Sequence, residues 1–220
     1  NNYVTEQLID WDNIPNDPIF TLTFPRKEML SKSNYNRIKE LTPTSDIEKH
    51  KSTVSDIRMK LNPNPAGQKR NIPTIDGQKL HGVQHKYRET ALFFPSQGQT
   101  CHAYCTFCFR WPQFTGMNGM KFAMREADLL HKYLLKNKKT TDILFTGGDP
   151  MSTSAKIMSA YIEPLLTKEF EHIRNIRIGS KSLSYWPYRF LTDRETDDML
   201  ELFAKRKKSG KHLAFQAHFK

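Results

Sequence analysis

Three cysteines stand close together in Cys101-His102-Ala103-Tyr104-Cys105-Thr106-Phe107-Cys108, and the chain has no others. Thiolates are soft ligands suited to zinc and to iron–sulfur clusters. An odd number of cysteines without a distant partner argues against a disulfide framework and for a reducing compartment. A structural zinc site takes four ligands, usually as two separated pairs, whereas here three thiols share one loop and no second pair exists. The spacing therefore reads as a [4Fe–4S] cluster held by Cys101, Cys105 and Cys108. One iron would be left open to chelation by the amino and carboxylate groups of a small molecule. Two alternatives stay open on the residues alone. One is zinc with His102 or a distant histidine as fourth ligand, the other three unrelated buried cysteines.

The loop must be delivered by something rigid. From about residue 90 the pattern alternates strands and helices, beginning with an apolar strand over 91–94 that leads to the cysteines. A helix is expected over 120–135, with Ala123, Ala127, Leu130 and Leu134 on one face. A short buried strand over 143–146 ends in Gly147-Gly148-Asp149-Pro150. A second helix over 154–166 carries Ile157, Met158, Tyr161, Ile162 and Leu165 on its apolar stripe, with Pro164 kinking the last turn. A third strand is expected over 173–179. Thr192-Asp193-Arg194-Glu195 reads as a capping box opening a helix that buries Met199, Leu200 and Phe203 and stops at Gly210. A fourth strand covers 212–219.

This order predicts an α/β fold of parallel strands with right-handed crossovers, a partial (β/α) barrel over residues 76–220. Four strands cannot close a barrel, so the expectation is one truncated after the fourth strand, with its C-terminal units missing. Residues 1–75 read as a mostly helical N-terminal extension. Pro15, Pro18 and Pro25 punctuate its extended start, and a helix runs from Ser45 to about Leu61 before the Pro63 and Pro65 segment stops it.

Several segments, in order, carry a further signal: Ile14-Pro15-Asn16-Asp17-Pro18-Ile19, His85-Lys86-Tyr87, the cysteine loop, Cys108-Phe109-Arg110, Phe145-Thr146-Gly147-Gly148-Asp149-Pro150, Arg177-Ile178-Gly179-Ser180-Lys181 and Ala217-His218-Phe219. Together they resemble the radical S-adenosylmethionine (SAM) superfamily, and more closely its lysine 2,3-aminomutase family. The resemblance implies a barrel of radical SAM type and a [4Fe–4S] cluster. It also implies SAM as the chelating molecule, cleaved at its S–C5′ bond to give a 5′-deoxyadenosyl radical. Position by position, it puts Phe107 against the adenine of SAM and gives Gly147, Gly148 and Asp149 its amino group. Glycine lets backbone approach closely, and a carboxylate pairs with an ammonium. Read on its own, the same segment is a strand-to-helix turn with Asp149 near a helix start.

Gln216 and His218 match positions that contact SAM, and Arg110 the position that pairs with the carboxylate of an amino-acid substrate. The resemblance also implies pyridoxal 5′-phosphate (PLP). Lys86 keeps the charge of one of the family's two phosphate-binding positions; Thr90 loses that of the other, with Arg88 nearby. The Schiff-base lysine of the family has no counterpart in these residues. The implied reaction is an isomerisation, an intramolecular aminomutase moving the α-amino group of L-lysine or a related amino acid to the β-carbon. A runner-up substrate is a protein-bound lysine, glutamate or arginine. The resemblance further implies a small-molecule substrate and an electron donor such as flavodoxin or ferredoxin, and leaves a homo-oligomer open.

Among 220 residues, 34 are Lys or Arg and 23 Asp or Glu, a formal charge of +11. The cations are dispersed, and the densest run, Lys205-Arg206-Lys207-Lys208, falls where a helix should end and cations complement its dipole. No nucleic-acid partner is expected on that basis. A zinc-containing nucleic-acid-binding module remains a distant alternative, recognisable by binding that weakens steeply with salt. Fourteen Phe, eight Tyr and three Trp supply a core. No apolar run approaches the ~18–20 residues of a membrane helix, and Asn1-Asn2-Tyr3-Val4-Thr5-Glu6 lacks a signal-peptide pattern. No membrane partner and a cytoplasmic location are expected.

Overall fold

The computed structural model describes residues 2–41, 46–62, 67–115, 117 and 119–219. Its strands are β1 (Thr74–Ile75), β2 (Gln78–Lys79), β3 (Val83–Tyr87), β4 (Thr90–Phe93), β5 (Asp142–Phe145), β6 (Asn175–Ser180) and β7 (His212–Ala217). Its α-helices are α1 (Pro18–Thr23), α2 (Lys32–Leu41), α3 (Ile47–Leu61), α4 (Trp111–Phe114), α5 (Ala127–Lys136), α6 (Ala155–Ile162), α7 (Ser182–Tyr185), α8 (Tyr188–Leu191) and α9 (Thr196–Ser209). In the long N-terminal helix α3, the side chain of Asp46 caps the start by accepting from the Lys49 amide. Ser45 and residues 63–66, expected to bound that helix, lie outside the described residues.

A five-stranded open sheet runs in the order β3-β4-β5-β6-β7, and β4 to β7 are parallel as the alternation requires. One face buries Ala91, Phe93, Ile143, Phe145, Ile176 and Ile178 in one core with Leu130 and Leu134 of α5, Met158, Tyr161 and Ile162 of α6, and Met199 and Leu202 of α9. The rings of Phe93, Phe145 and Tyr161 meet edge-on, Phe93 to Tyr161 at 4.8 Å. The other face, with Leu92, Leu144, Arg177 and Ala214 in register across the strands, is half-buried. The boundary drawn after residue 75 falls inside the β1–β2 hairpin, whose Ile75 packs in the main core.

Four expectations are corrected. Strand β3 pairs antiparallel with β4 where the sequence carries the His85-Lys86-Tyr87 motif and predicts no strand. Residues 120–126 are not helical: Met120, Phe122 and Met124 are buried at every second position, a strand's period rather than a helix's. Met124 bonds along the strand exit, its amide donating to the Phe94 carbonyl and its carbonyl accepting from the Ser96 amide (both 3.0 Å). The proposed capping box does not form, because Thr192 ends α8 and the carboxylate of Glu195 is used elsewhere. It accepts from the Ala155 amide at the start of α6 (3.2 Å) and from Arg189 Nη1 (3.0 Å). In α9 the buried apolar residues are Met199 and Leu202, while Phe203 is half-buried against the core and Leu200 is exposed. The Pro164 break and the Gly210 stop are observed: α6 gives way to a tight turn at Pro164–Leu166, and Gly210 adopts a left-handed φ of 68°.

Arg189 is the fastening of this half of the molecule. At 3% side-chain exposure it donates from Nε to the Met151 carbonyl (3.2 Å), from Nη2 to the Thr153 carbonyl (2.8 Å) and from Nη1 to Glu195. It thereby joins the chain leaving β5 to α8 and α9. Arg189→Met leaves two carbonyls without this donor and the Glu195 carboxylate without its cation. Urea unfolding is expected to show a loss of about 3–5 kcal/mol, the cost of breaking a buried ion pair from one side.

Candidate functional site

Beyond β4 the chain turns at Gln97–Gln99 and reaches Cys101 across the end of β5. The crossing is tight. The Asp149 amide donates to the Gly98 carbonyl (3.0 Å), and the Ser152 hydroxyl to that of Gln97 (3.2 Å). A Cβ on Gly148 would stand 2.6 Å from the Thr100 carbonyl oxygen. One on Gly147, whose φ is +140°, would stand 2.4 Å from Gln99 Nε2. The close approach that glycine permits here is to the stem of the cysteine loop itself.

Asp149 has no exposed surface. Its Oδ1 accepts from the Met151 amide (3.0 Å) and the Ser180 hydroxyl (2.8 Å), and its Oδ2 from the Lys181 amide (2.7 Å). His102 Nε2 lies 3.6 Å from Oδ2 and bonds to the Ser182 hydroxyl at 2.9 Å. One carboxylate thus ties the ends of β5 and β6 to the residue that follows the first cysteine, including the turn-start task its place before Pro150 suggested.

The three cysteines are free and half-buried, and the Cys108 amide donates to the Cys105 carbonyl (3.0 Å), closing the last turn of the loop. Burial pushes the Cys101 thiol up, helped by Asp149 and Cys105 and opposed by the Ala103 amide. Burial also pushes His102 down, against the pull of Asp149. The N-terminal segment supports the loop from below. Val4 and Ile9 form a small core with Tyr185, joined by Phe20, Phe24 and Ala103, and the Tyr104 amide donates to the Leu22 carbonyl (2.6 Å). That segment had read as an accessory extension. Its apolar residues were visible, their target was not.

Phe107 and His218 come together, their rings stacked at 5.7 Å and 17°. Gln216, paired with Gly179, is exposed on β7 two residues before His218. Arg110 is held between the rings of Phe94 and Phe109, each 4.8 Å from the guanidinium. Its Nη1 donates to the amide oxygens of Gln84 (3.2 Å) and Gln113 (3.3 Å), two residues that sequence reasoning passed over. Burial lowers its pKa and the neighbouring Cys108 opposes the shift. Lys86 does not join this group: it is exposed on β3 beside Tyr87, which pairs with Thr90 at the start of β4. Arg88 is exposed and pairs with Glu89 at 3.6 Å. These residues form no cradle for the phosphate of PLP.

No family model matches the chain. Over 218 residues, 99% of its length, it is 29% identical to a putative L-lysine 2,3-aminomutase of Aquifex aeolicus and covers 47% of that protein. Over 108 residues it is 30% identical to the L-lysine 2,3-aminomutase of Fusobacterium nucleatum and 28% identical to that of Clostridium subterminale. Those matches cover 49% of this chain and 24% and 25% of the two enzymes. The chain is homologous to L-lysine 2,3-aminomutases. It spans about half the length of the Aquifex aminomutase, and its matched segment covers about a quarter of each of the other two. These aminomutases are radical SAM proteins.

Among the described residues, no three His, Cys, Asp or Glu side chains converge on a point that would hold a single ion. The fit to the cluster of the aminomutases rests on the donors and their surroundings. Three free thiols share one loop, and two buried polar atoms near them, Lys181 Nζ and the Tyr185 hydroxyl, have no hydrogen-bond partner among the described residues. Lys181 is close enough to Cys101 to act on its charge. A buried ammonium without an acceptor is costly, and an anionic group on the loop would offset that cost. Gly148→Ala is expected to push the loop stem off β5 and to lower iron bound per chain several-fold after anaerobic reconstitution, with helix content unchanged by circular dichroism.

Proposed function

We propose that this chain carries the cluster and SAM site of a radical SAM aminomutase acting on L-lysine or a related amino acid. The observation that supports the reading is the contact between the three-cysteine loop and the Gly147-Gly148 turn at the C-terminal ends of parallel strands, the reactive side of such barrels. Cys101, Cys105 and Cys108 would hold a [4Fe–4S] cluster, which would supply the electron for reductive cleavage of SAM. The chain's own residues bind and orient. The stacked pair of Phe107 and His218 offers a flat surface for the adenine, with Gln216 beside it. The backbone of Gly147 and Gly148 receives the amino end of SAM.

Arg110 is the carboxylate grip for the amino acid. Two rings fix the plane of its guanidinium and two amides fix Nη1, so little side-chain freedom is lost on binding. The electron comes from a small donor such as flavodoxin or ferredoxin. No step is assigned to PLP.

The test is anaerobic reconstitution followed by an assay for 5′-deoxyadenosine with SAM, dithionite and a panel of amino acids. Iron uptake and amino-acid-stimulated release are expected. Absence of iron, or a single zinc in its place, overturns the reading. Arg110→Ala is expected to keep the iron and to raise KM for the amino acid about 10- to 100-fold, the worth of a charge-assisted hydrogen bond. An unchanged KM removes the role given to Arg110.

A further inference from the structure

A guanidinium carries five N–H donors, and the hydrogen bonds of Arg110 use one nitrogen only. Nη1 donates to Gln84 Oε1 at 3.2 Å and to Gln113 Oε1 at 3.3 Å, which accounts for both of its hydrogens. Among the described residues, Nε and Nη2 donate to nothing, and no carboxylate pairs with the guanidinium. Nε–H and Nη2–H point the same way in the guanidinium plane, so together they form an intact two-donor edge. The rings of Phe94 and Phe109, each with the guanidinium carbon 4.8 Å over its centre, cover the plane. What remains is approach to that edge from within the plane, the approach a carboxylate makes.

The two glutamines are held in turn. Gln84 stands on β3 opposite Leu92, and its Nε2 donates to the Arg70 carbonyl (3.4 Å), which leaves its oxygen for Arg110. Gln113, in α4, is 1% exposed. Its amide donates to the Arg110 carbonyl (2.9 Å) and its carbonyl accepts from the Phe122 amide (3.4 Å). The Phe122 ring meets Phe94 edge-on at 4.8 Å, so the acceptor of Nη1 and a ring against the guanidinium are braced by one residue. Arginine can only donate, so each amide must turn its oxygen inward. That oxygen is neutral. A carboxylate in either place would neutralise the cation internally, and an aliphatic side chain would leave Nη1 unfixed.

Resting on the reading of Arg110 as the carboxylate grip, we propose that Gln113 and Gln84 are positioning residues. They occupy Nη1 and leave Nε–H and Nη2–H as a side-on, bidentate seat for the substrate carboxylate. The cation stays oriented and unneutralised until the amino acid arrives. A half-buried charge without a counter-ion is costly, and the incoming carboxylate offsets that cost where an internal acid would already have done so.

The test is calorimetric titration of the reconstituted chain with L-lysine, and separately with SAM. Gln113→Glu and Gln84→Glu keep the size of the side chain and add a rival carboxylate. Each is expected to weaken L-lysine binding about tenfold or more, the scale of one charge-assisted hydrogen bond, with iron content and SAM affinity as in wild type. Arg110→Lys keeps the charge and lacks the planar edge, and a loss of about tenfold is expected there too. L-lysine affinity unchanged in both glutamate variants overturns the role of the glutamines and leaves the Arg110 reading intact. Wild-type affinity in Arg110→Lys overturns the side-on edge. Equal losses for L-lysine and SAM reduce the glutamines to structural support and overturn the proposal as well. If Gln113→Glu fails to load iron, Gln84→Glu decides. L-lysine binding that is absent in wild type, or unchanged in Arg110→Ala, overturns both readings together.

Discussion

Two pieces of backbone cross at the end of β5 with no room for a side chain between them, and the candidate site depends on that crossing. The stem of the cysteine loop passes over Gly147 and Gly148, and the Asp149 amide fastens to the Gly98 carbonyl. A strand end is rigid because its ladder bonds fix it, whereas a loop with thiols every third or fourth residue has no such ladder. The crossing lends the loop the rigidity of the sheet. It also sets which side of the molecule the thiols occupy, since β4 and β5 are parallel and both end there.

The carboxylate of Asp149 extends the same constraint to the next strand. With chain donors on both oxygens and no exposed surface, it joins the turn after β5 to Ser180 and Lys181 at the end of β6. His102 and Ser182 bring in the cysteine loop and α7. The result is a layer of buried polar groups directly beside the thiols. Most of them are satisfied by one another; Lys181 Nζ and the Tyr185 hydroxyl have no hydrogen-bond partner among the described residues.

The N-terminal segment belongs to the site rather than to the periphery. Its start, α1 and the following residues supply Val4, Ile9, Phe20 and Phe24 to the small core beneath Ala103 and Tyr185. Asp17 caps α1 by accepting from the Phe20 amide (2.6 Å), with Pro18 in the first turn where its missing N–H is harmless. The cysteine loop is thus gripped from the sheet side by glycine turns and from below by an aromatic collar.

Sequence alone determined whatever depends on neighbours along the chain. Apolar periods placed the four parallel strands, Pro164 broke its helix and Gly210 ended another. These signals are local, because they come from side-chain chemistry and backbone torsions within one element. Only the tertiary structure decided the rest. It turned residues 120–126 from a helix into an extended segment beside the strand exit and sent Glu195 to cap a different helix. It set Phe107 on His218, left Lys86 apart, and stacked Tyr185 on His102. Each of those outcomes turns on which groups far apart in sequence compete for the same hydrogen bond or the same buried space, and no window of sequence contains that competition.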